Sequence, residues 1–303
     1  MGQVGSLGHG TMPRFAFQSV QLAIGTYRQP CQLLAARHFR PNSRPSSSNQ
    51  VQPDGKRLNE LIKIAKSSED LFDVVSDHKD RLDAVHAAAC LWRLSKLGSP
   101  LDHLVGRQPF LELLLLVDQH LTASVLGTRG LSNILVAIAH LAGRSGAGSS
   151  DCPQLQVLAC RCAKEFSDPK KLLRANAHDV ANSAWAAARL LTLCSSNAQR
   201  QQSHELTDLL LRLGQELERK QLVEAFTAQG LANVAWAYAT AAGLPGGLLR
   251  GEQTKVKAEI QQQQMLQRLF HMVAEAAIPK LQPPVEFNPQ EMFGARETAN
   301  GKE

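Results

Sequence analysis

The stretch Ala225–Gly243, AFTAQGLANVAWAYATAAG, most constrains the fold, because the chain writes it more than once. Ala232-Asn233-Val234-Ala235-Trp236-Ala237 lies without a gap over Ala181-Asn182-Ser183-Ala184-Trp185-Ala186, 51 residues upstream. A weaker copy, Leu131–Gly143, keeps Asn133, 49 residues before Asn182, and has Val136 in place of the Trp. Self-similarity at such a period is the mark of stacked helical units that cannot bury their apolar faces alone. The expected fold is therefore all-α. It is an α-solenoid of helical-hairpin repeats, armadillo- or HEAT-like, with about four and a half repeats over residues 54–292.

Taken in order, amphipathic helix begins at Arg57, where Leu58, Leu61, Ile62 and Ala65 give the i, i+3, i+4, i+7 stripe. Leu71 to Val75 reads as a short second piece. Asp83–Gly98 reads as a long helix stopped by Gly98 and Pro100. Trp92 falls near the repeated Trp column and not on it. Outer helices follow at 109–121, 154–165, 204–213 and 253–276, and inner helices at 128–141, 176–193 and 227–242. Asp151 is a candidate cap and Pro153 fits a first turn. Phe287–Met292 imitates Phe226–Leu231, and there the pattern stops. Residues 293–303 read as a disordered tail.

A helical wheel started at Leu231 puts Leu231, Ala235, Ala239, Ala232 and Trp236 on one arc. On this reading Trp185, Trp236, Ala184 and Ala235 form the repeat core, with both tryptophans buried at equivalent positions. The Asn column, Asn133, Asn182 and Asn233, falls just outside the stripe. Asn is a mediocre interior helix residue, so propensity does not account for three copies. Two readings are open: amides that satisfy backbone groups of an adjoining turn, or a ligand-facing row. Seven residues on, along the same edge, stand His140, Arg189 and Thr240.

The formal net charge is +6, from 33 Lys and Arg against 27 Asp and Glu. Residues 1–50 hold Arg14, Arg28, Arg37, Arg40 and Arg44 and no Lys, Asp or Glu, so they carry five of those six charges. The remainder is nearly neutral, and the pI is no sign of a basic face there. Arg-bearing, acid-free, Ser-containing composition over residues 1–53 points to an organelle transit peptide and linker, mitochondrial with plastid as the alternative. Met1-Gly2 with Ser6 also fits an N-myristoylation pattern, and a plain disordered tail is the third reading. The most basic cluster in the repeats is Lys170, Lys171 and Arg174, readable as an RNA contact or as a solvated loop.

None of the six cysteines forms C-x-x-C or pairs with His at zinc spacing, so they read as buried apolar residues of a reducing compartment. No apolar run is long enough to span a membrane. No phosphate-binding loop, dinucleotide fingerprint, metalloprotease helix or nucleophile elbow is present. The expectation is a non-catalytic protein without cofactor or metal.

Leu231-Ala232-Asn233-Val234-Ala235-Trp236-Ala237-Tyr238-Ala239, preceded by Phe226 and Gln229, resembles the helical repeats of organellar RNA-handling proteins. These include octotricopeptide-repeat, FAST-kinase-like and RAP-domain proteins of algae, dinoflagellates and apicomplexans, and armadillo-like subunits of the RNA-editing substrate-binding complex. The likeness is strong over about residues 175–243. It implies an α-solenoid that binds organellar transcripts or ribosomal RNA, in RNA processing, stability or translation. The alternative is a protein-binding scaffold subunit of an organellar ribonucleoprotein complex. RNA contacts are expected at Asn133, His140, Asn182, Arg189, Asn233, Lys170, Lys171 and Arg174.

Overall fold

The structure, a computed structural model, describes residues 55–144, 152–194, 204–220, 222–244 and 256–277. The Arg-rich N-terminal segment, Asp151, the Phe287–Met292 motif and the tail lie outside the described residues. Every regular element among the described residues is helical. In order they are α1 (Gly55–Ile64), α2 (Ser68–His78), α3 (Ala84–Lys96), α4 (Leu101–Leu104), α5 (Gln108–Thr122) and α6 (Thr128–Ala142). Then come α7 (Pro153–Phe166), α8 (Pro169–Arg174), α9 (Ala177–Leu193), α10 (His204–Lys220), α11 (Ala228–Gly243) and α12 (Val256–Ala277). Short 3-10 turns at Lys79–Arg81 and Leu222–Ala225 precede α3 and α11.

Local chemistry sets these boundaries. Ser67 and Asp70 form a reciprocal capping box at the start of α2. Asp83 accepts from the amides of Val85 and His86 at 2.9 and 3.0 Å, so α3 begins there. Asn176 caps α9 through Asp179 N at 2.9 Å, and Thr227 caps α11 through Gly230 N at 3.1 Å. Gly127 stands at the same place before α6 without a side chain to cap it. The N-cap of α7 is Cys152, with Pro153 in the first turn. Gly98 follows α3 at φ 82°, a conformation that suits glycine.

The helices lie in two layers. In one, α3, α6, α9 and α11 each pack against the next; in the other, α2, α5, α7, α10 and α12 do the same. Each inner helix packs closely on the outer helix that follows it: α3 on α5, α6 on α7, α9 on α10, α11 on α12. The intimate unit is thus inner-then-outer, the reverse of the order that the sequence repeats suggest.

Between the layers, α5 buries Phe110, Leu113, Val117 and Leu121, and α7 buries Leu158, Cys162 and Phe166. In the middle of α9 the buried residues are small, with Ala181, Ser183, Ala184, Ala186, Ala187 and Ala188 all essentially inaccessible, and the larger Val180, Leu190 and Leu191 are buried toward its ends. Small side chains let α9 approach both α6 and α11 closely. In α11 the buried stripe is Leu231, Val234, Ala237, Tyr238 and Ala241. Ala239 is exposed, and Ala235 and Trp236 are half-buried. The arc drawn from Leu231 through Ala235 and Ala239 is therefore on the wrong side of the helix. Tyr238 holds the place expected for the Trp: it is fully buried and its hydroxyl donates to the Leu210 carbonyl at 2.7 Å. Burial drives its phenol well above the usual range.

Two substitutions in α9 test this packing. Ser183 Oγ is buried with no hydrogen-bond partner. Ser183→Ala should leave stability unchanged or raise it by up to about 1 kcal/mol, because no bond is lost and a hydroxyl is spared desolvation. Ala187→Leu should cost about 1–3 kcal/mol by overpacking. Urea midpoints of the two variants check both. A large loss from Ser183→Ala would mean that the hydroxyl is bonded.

Candidate functional site

The four inner helices are capped at Asp83, Gly127, Asn176 and Thr227, and counting from these caps brings their solvent-touching residues into register. The second residues are Val85, Arg129, His178 and Gln229. The sixth are Ala89, Asn133, Asn182 and Asn233. The ninth are Trp92, Val136, Trp185 and Trp236, and the thirteenth are Lys96, His140, Arg189 and Thr240. Steps of 4, 3 and 4 residues keep one edge of an α-helix. All of these positions except buried Val136 reach solvent, and none is Asp or Glu. In α9 the separation is complete: from Ala177 to Leu191, His178, Asn182, Trp185 and Arg189 are the residues that are not buried.

Trp92 thus lies on the repeated Trp column. The spacing from Asp83 to Gly127 is shorter than the later repeats, which is why a period near 50 residues misplaces it. The repeat core is corrected likewise. Ala184 is fully buried, but Trp185 and Trp236 are half-buried with one edge in solvent. Their rings stand 6.3 Å apart between centroids, tilted by 36°. His140 from α6 continues the series, 5.0 Å from the Trp185 ring. Lys96 Nζ sits 4.3 Å from the centre of the Trp92 ring, within cation–π range.

Asn182 makes one side-chain contact within α9 and one across to α11. Asn182 Nδ2 donates to His178 Nε2 at 2.9 Å, and Asn182 Oδ1 accepts from Asn233 Nδ2 at 3.5 Å. These amides meet one another and not the backbone of an adjoining turn. Asn133 is half-buried at the matching place on α6.

Positive charge gathers where α3, α6 and α9 meet. Lys96 Nζ lies 3.5 Å from His140 Nε2. The Arg189 guanidinium lies over Gly143, so a side chain added at 143 would meet it and the Ala139 carbonyl. Desolvation, then the charges of Lys96, Arg144 and Arg189, lower the His140 pKa to about 4. Desolvation, then Arg144, also lower that of Lys96. Because an ammonium only donates, Nε2 of His140 is the unprotonated nitrogen.

The other expected contact cluster divides. Lys170 and Arg174 are exposed on α8. Lys171 is turned inward, paired with Glu165 at 3.0 Å and donating to the carbonyls of Ser124 and Leu126. It ties the α5–α6 turn to α7 and is withdrawn from solvent partners. The cluster is helical and not a loop, with Asp168 accepting from Lys170 N at 2.8 Å to cap it.

His86 is structural. It is buried, with Nδ1 2.8 Å from Asp83 and Nε2 2.9 Å from the Gly55 carbonyl, pinning α1 to the start of α3. Burial pushes the Cys90 thiol up to about 12 and raises that of Cys162, the opposite of what a reactive thiolate needs. No described helix is long and apolar enough to cross a membrane. Searches against protein-family models, curated proteins and solved structures find no significant match to this chain.

The depressed His140 pKa gives stability a definite pH dependence. An unfolded His titrates near about 6.5. Between that value and about 4 the unfolded chain binds more protons than the folded one. The His140 component of stability is therefore full above the unfolded pKa and is lost as pH falls toward 4. Urea midpoints from pH 7 to 4.5 should fall more steeply for the wild type than for His140→Gln. Parallel curves would place the titrating group elsewhere.

Proposed function

We propose that this protein is a non-catalytic, helical-repeat RNA-binding protein whose inner helices present the contact surface. The observation that carries this reading is the acid-free edge on four consecutive inner helices, with Trp92, Trp185 and Trp236 beside Lys96 and Arg189. Half-exposed aromatic rings offer stacking surfaces to unpaired bases without regard to sequence, and cations beside them suit the phosphate backbone. The side-chain amides of Asn133, Asn182 and Asn233 add donors and acceptors for base edges. Single-stranded RNA fits such an edge better than a duplex, whose bases are already stacked on each other.

The wider reading is an α-solenoid of about four and a half armadillo- or HEAT-like units. The inner-to-inner and outer-to-outer packing and the repeated sequence support it. The Arg-rich, acid-free first 50 residues support action in a mitochondrion or plastid, on organellar transcripts or ribosomal RNA. A protein scaffold in an organellar ribonucleoprotein complex is the second reading, favoured by the near-neutral remainder of the chain.

The test is fluorescence anisotropy with unstructured 15-nucleotide RNA. Binding should quench Trp emission, and log affinity should fall linearly with log salt with a shallow slope, because few cations line the edge. Trp185→Leu should weaken binding by about 1–3 kcal/mol, the range for loss of one stacked base. Absence of binding at low salt would favour the scaffold. In addition, residues 1–53 fused to a fluorescent reporter should carry it into an organelle. Plasma-membrane signal would favour myristoylation instead.

A further inference from the structure

Most described cations of the outer layer have carboxylate partners. Arg161 pairs with Asp118, Arg212 with Asp208 at 2.7 Å, Arg219 with Glu216 at 2.7 Å and Arg268 with Glu218 at 2.9 Å. The inner edge breaks this rule. Lys96, Arg144 and Arg189 converge on His140 from α3, from the end of α6 and from α9, and none of the three stands in an ion pair among the described residues. Arg144 Nη1 is moreover buried with no hydrogen-bond partner. Three like charges held together, one with a buried and unsatisfied donor, raise the energy of the free protein. An anion seated among them would remove that cost and satisfy the donor.

We propose that Lys96, His140, Arg144 and Arg189 form a phosphate-binding site, and that His140 takes up a proton when the site fills. In the free protein His140 Nε2 accepts from Lys96. When a phosphate enters, the Lys96 ammonium turns to the anion, and the two guanidiniums donate to its oxygens. Desolvation favours the neutral imidazole, and the positive field that adds to it is then neutralised. Nε2 gains a proton from solvent and becomes a donor to the same anion. No covalent bond changes. Trp185 stands 5.0 Å from the His140 ring, so the base attached to that phosphate has a stacking surface beside it. The room that Gly143 leaves for Arg189 belongs to the same arrangement. The backbone source of the phosphate rests on the RNA reading; the site itself does not.

The experiment is ring-nitrogen NMR of His140 in the full chain, assigned by loss of its signals in His140→Gln. The probes are inorganic phosphate, a hydroxyl-ended diuridine phosphodiester and 15-nucleotide RNA. The phosphodiester keeps one charge from pH 5 to 8, so its pH dependence reports the protein. With phosphodiester bound, the apparent pKa of His140 should rise from about 4 by at least ~1 unit. Affinity should accordingly increase as pH falls from 7 to 5. Lys96→Gln and Arg189→Gln should each weaken phosphodiester binding about tenfold, the loss of one charge-assisted bond, with thermal midpoints in water unchanged or raised, because one of three crowded like charges is gone. A His140 signal that moves with inorganic phosphate, while RNA fails to bind, would uphold the site and assign it to a small phosphate compound. RNA binding that leaves His140 unmoved by every probe and is unaffected by both variants would overturn the site while upholding the RNA reading.

Discussion

Close approach of the inner helices is the constraint on which the rest depends. Along the middle of α9, from Ala181 to Ala188, the buried side chains are alanines and one serine, so the backbones of α6, α9 and α11 come together and little volume is left between them. A ring as large as indole does not fit in that space. It is displaced to the edge, where Trp185 and Trp236 lie over the seam with one side packed and the other wet. Burial of small residues and exposure of aromatic ones are thus two results of the same packing. Between layers the demand is opposite, and there Phe110, Phe166 and Tyr238 fill the wider gap.

Charge follows the same division. In the outer layer, acids and bases at i, i+3 and i, i+4 neutralise one another, as between Glu216 and Arg219 or Asp208 and Arg212. Such exposed pairs add little stability each, but they leave a surface with little net field. The inner edge has no acids to balance Lys96, Arg144 and Arg189. A nearly neutral folded region can therefore still carry a local positive field, which total charge conceals.

Much of the fold was legible in the sequence, because caps and stops act locally. Asp83, Asn176 and Thr227 mark their helices by side-chain chemistry that needs no tertiary context, and the inner helices start where those residues say. The core was less legible. The polar edge of Gln229, Asn233 and Thr240 is narrow and has alanines on both flanks, so the wheel drawn from Leu231 took the wrong flank as core and put Ala239 inside. Tyr238 was left out of that arc although it lies about 20° from Leu231 on the wheel, and its hydroxyl is taken up by the Leu210 carbonyl. Of the candidate contact residues, His140, Arg189, Asn182, Asn133 and Asn233 do share one edge, as their sevenfold spacing implied. Lys96 and Trp92 were missed because their repeat is shorter than the others; counting from the caps recovers them. Lys171 could not be judged from sequence, since its partners Glu165, Ser124 and Leu126 come from two other segments.

The fixed distance from cap to edge separates two kinds of change that this chain can accept. Successive caps lie at Asp83, Gly127, Asn176 and Thr227, at unequal intervals, yet the ninth and thirteenth residues after each stay in line. Length variation has been absorbed outside the inner helices. An insertion before a cap moves the whole helix start and leaves its edge intact. One placed within the first nine residues would turn the following side chains by about 100° and send the Trp into the alanine seam. The edge is consequently an exchangeable part: the residues at position thirteen, and at position nine of α3, α9 and α11, can be traded between helices, altering what the surface meets while the small-residue packing beneath goes untouched; Val136 of α6, which is buried, stands outside this freedom.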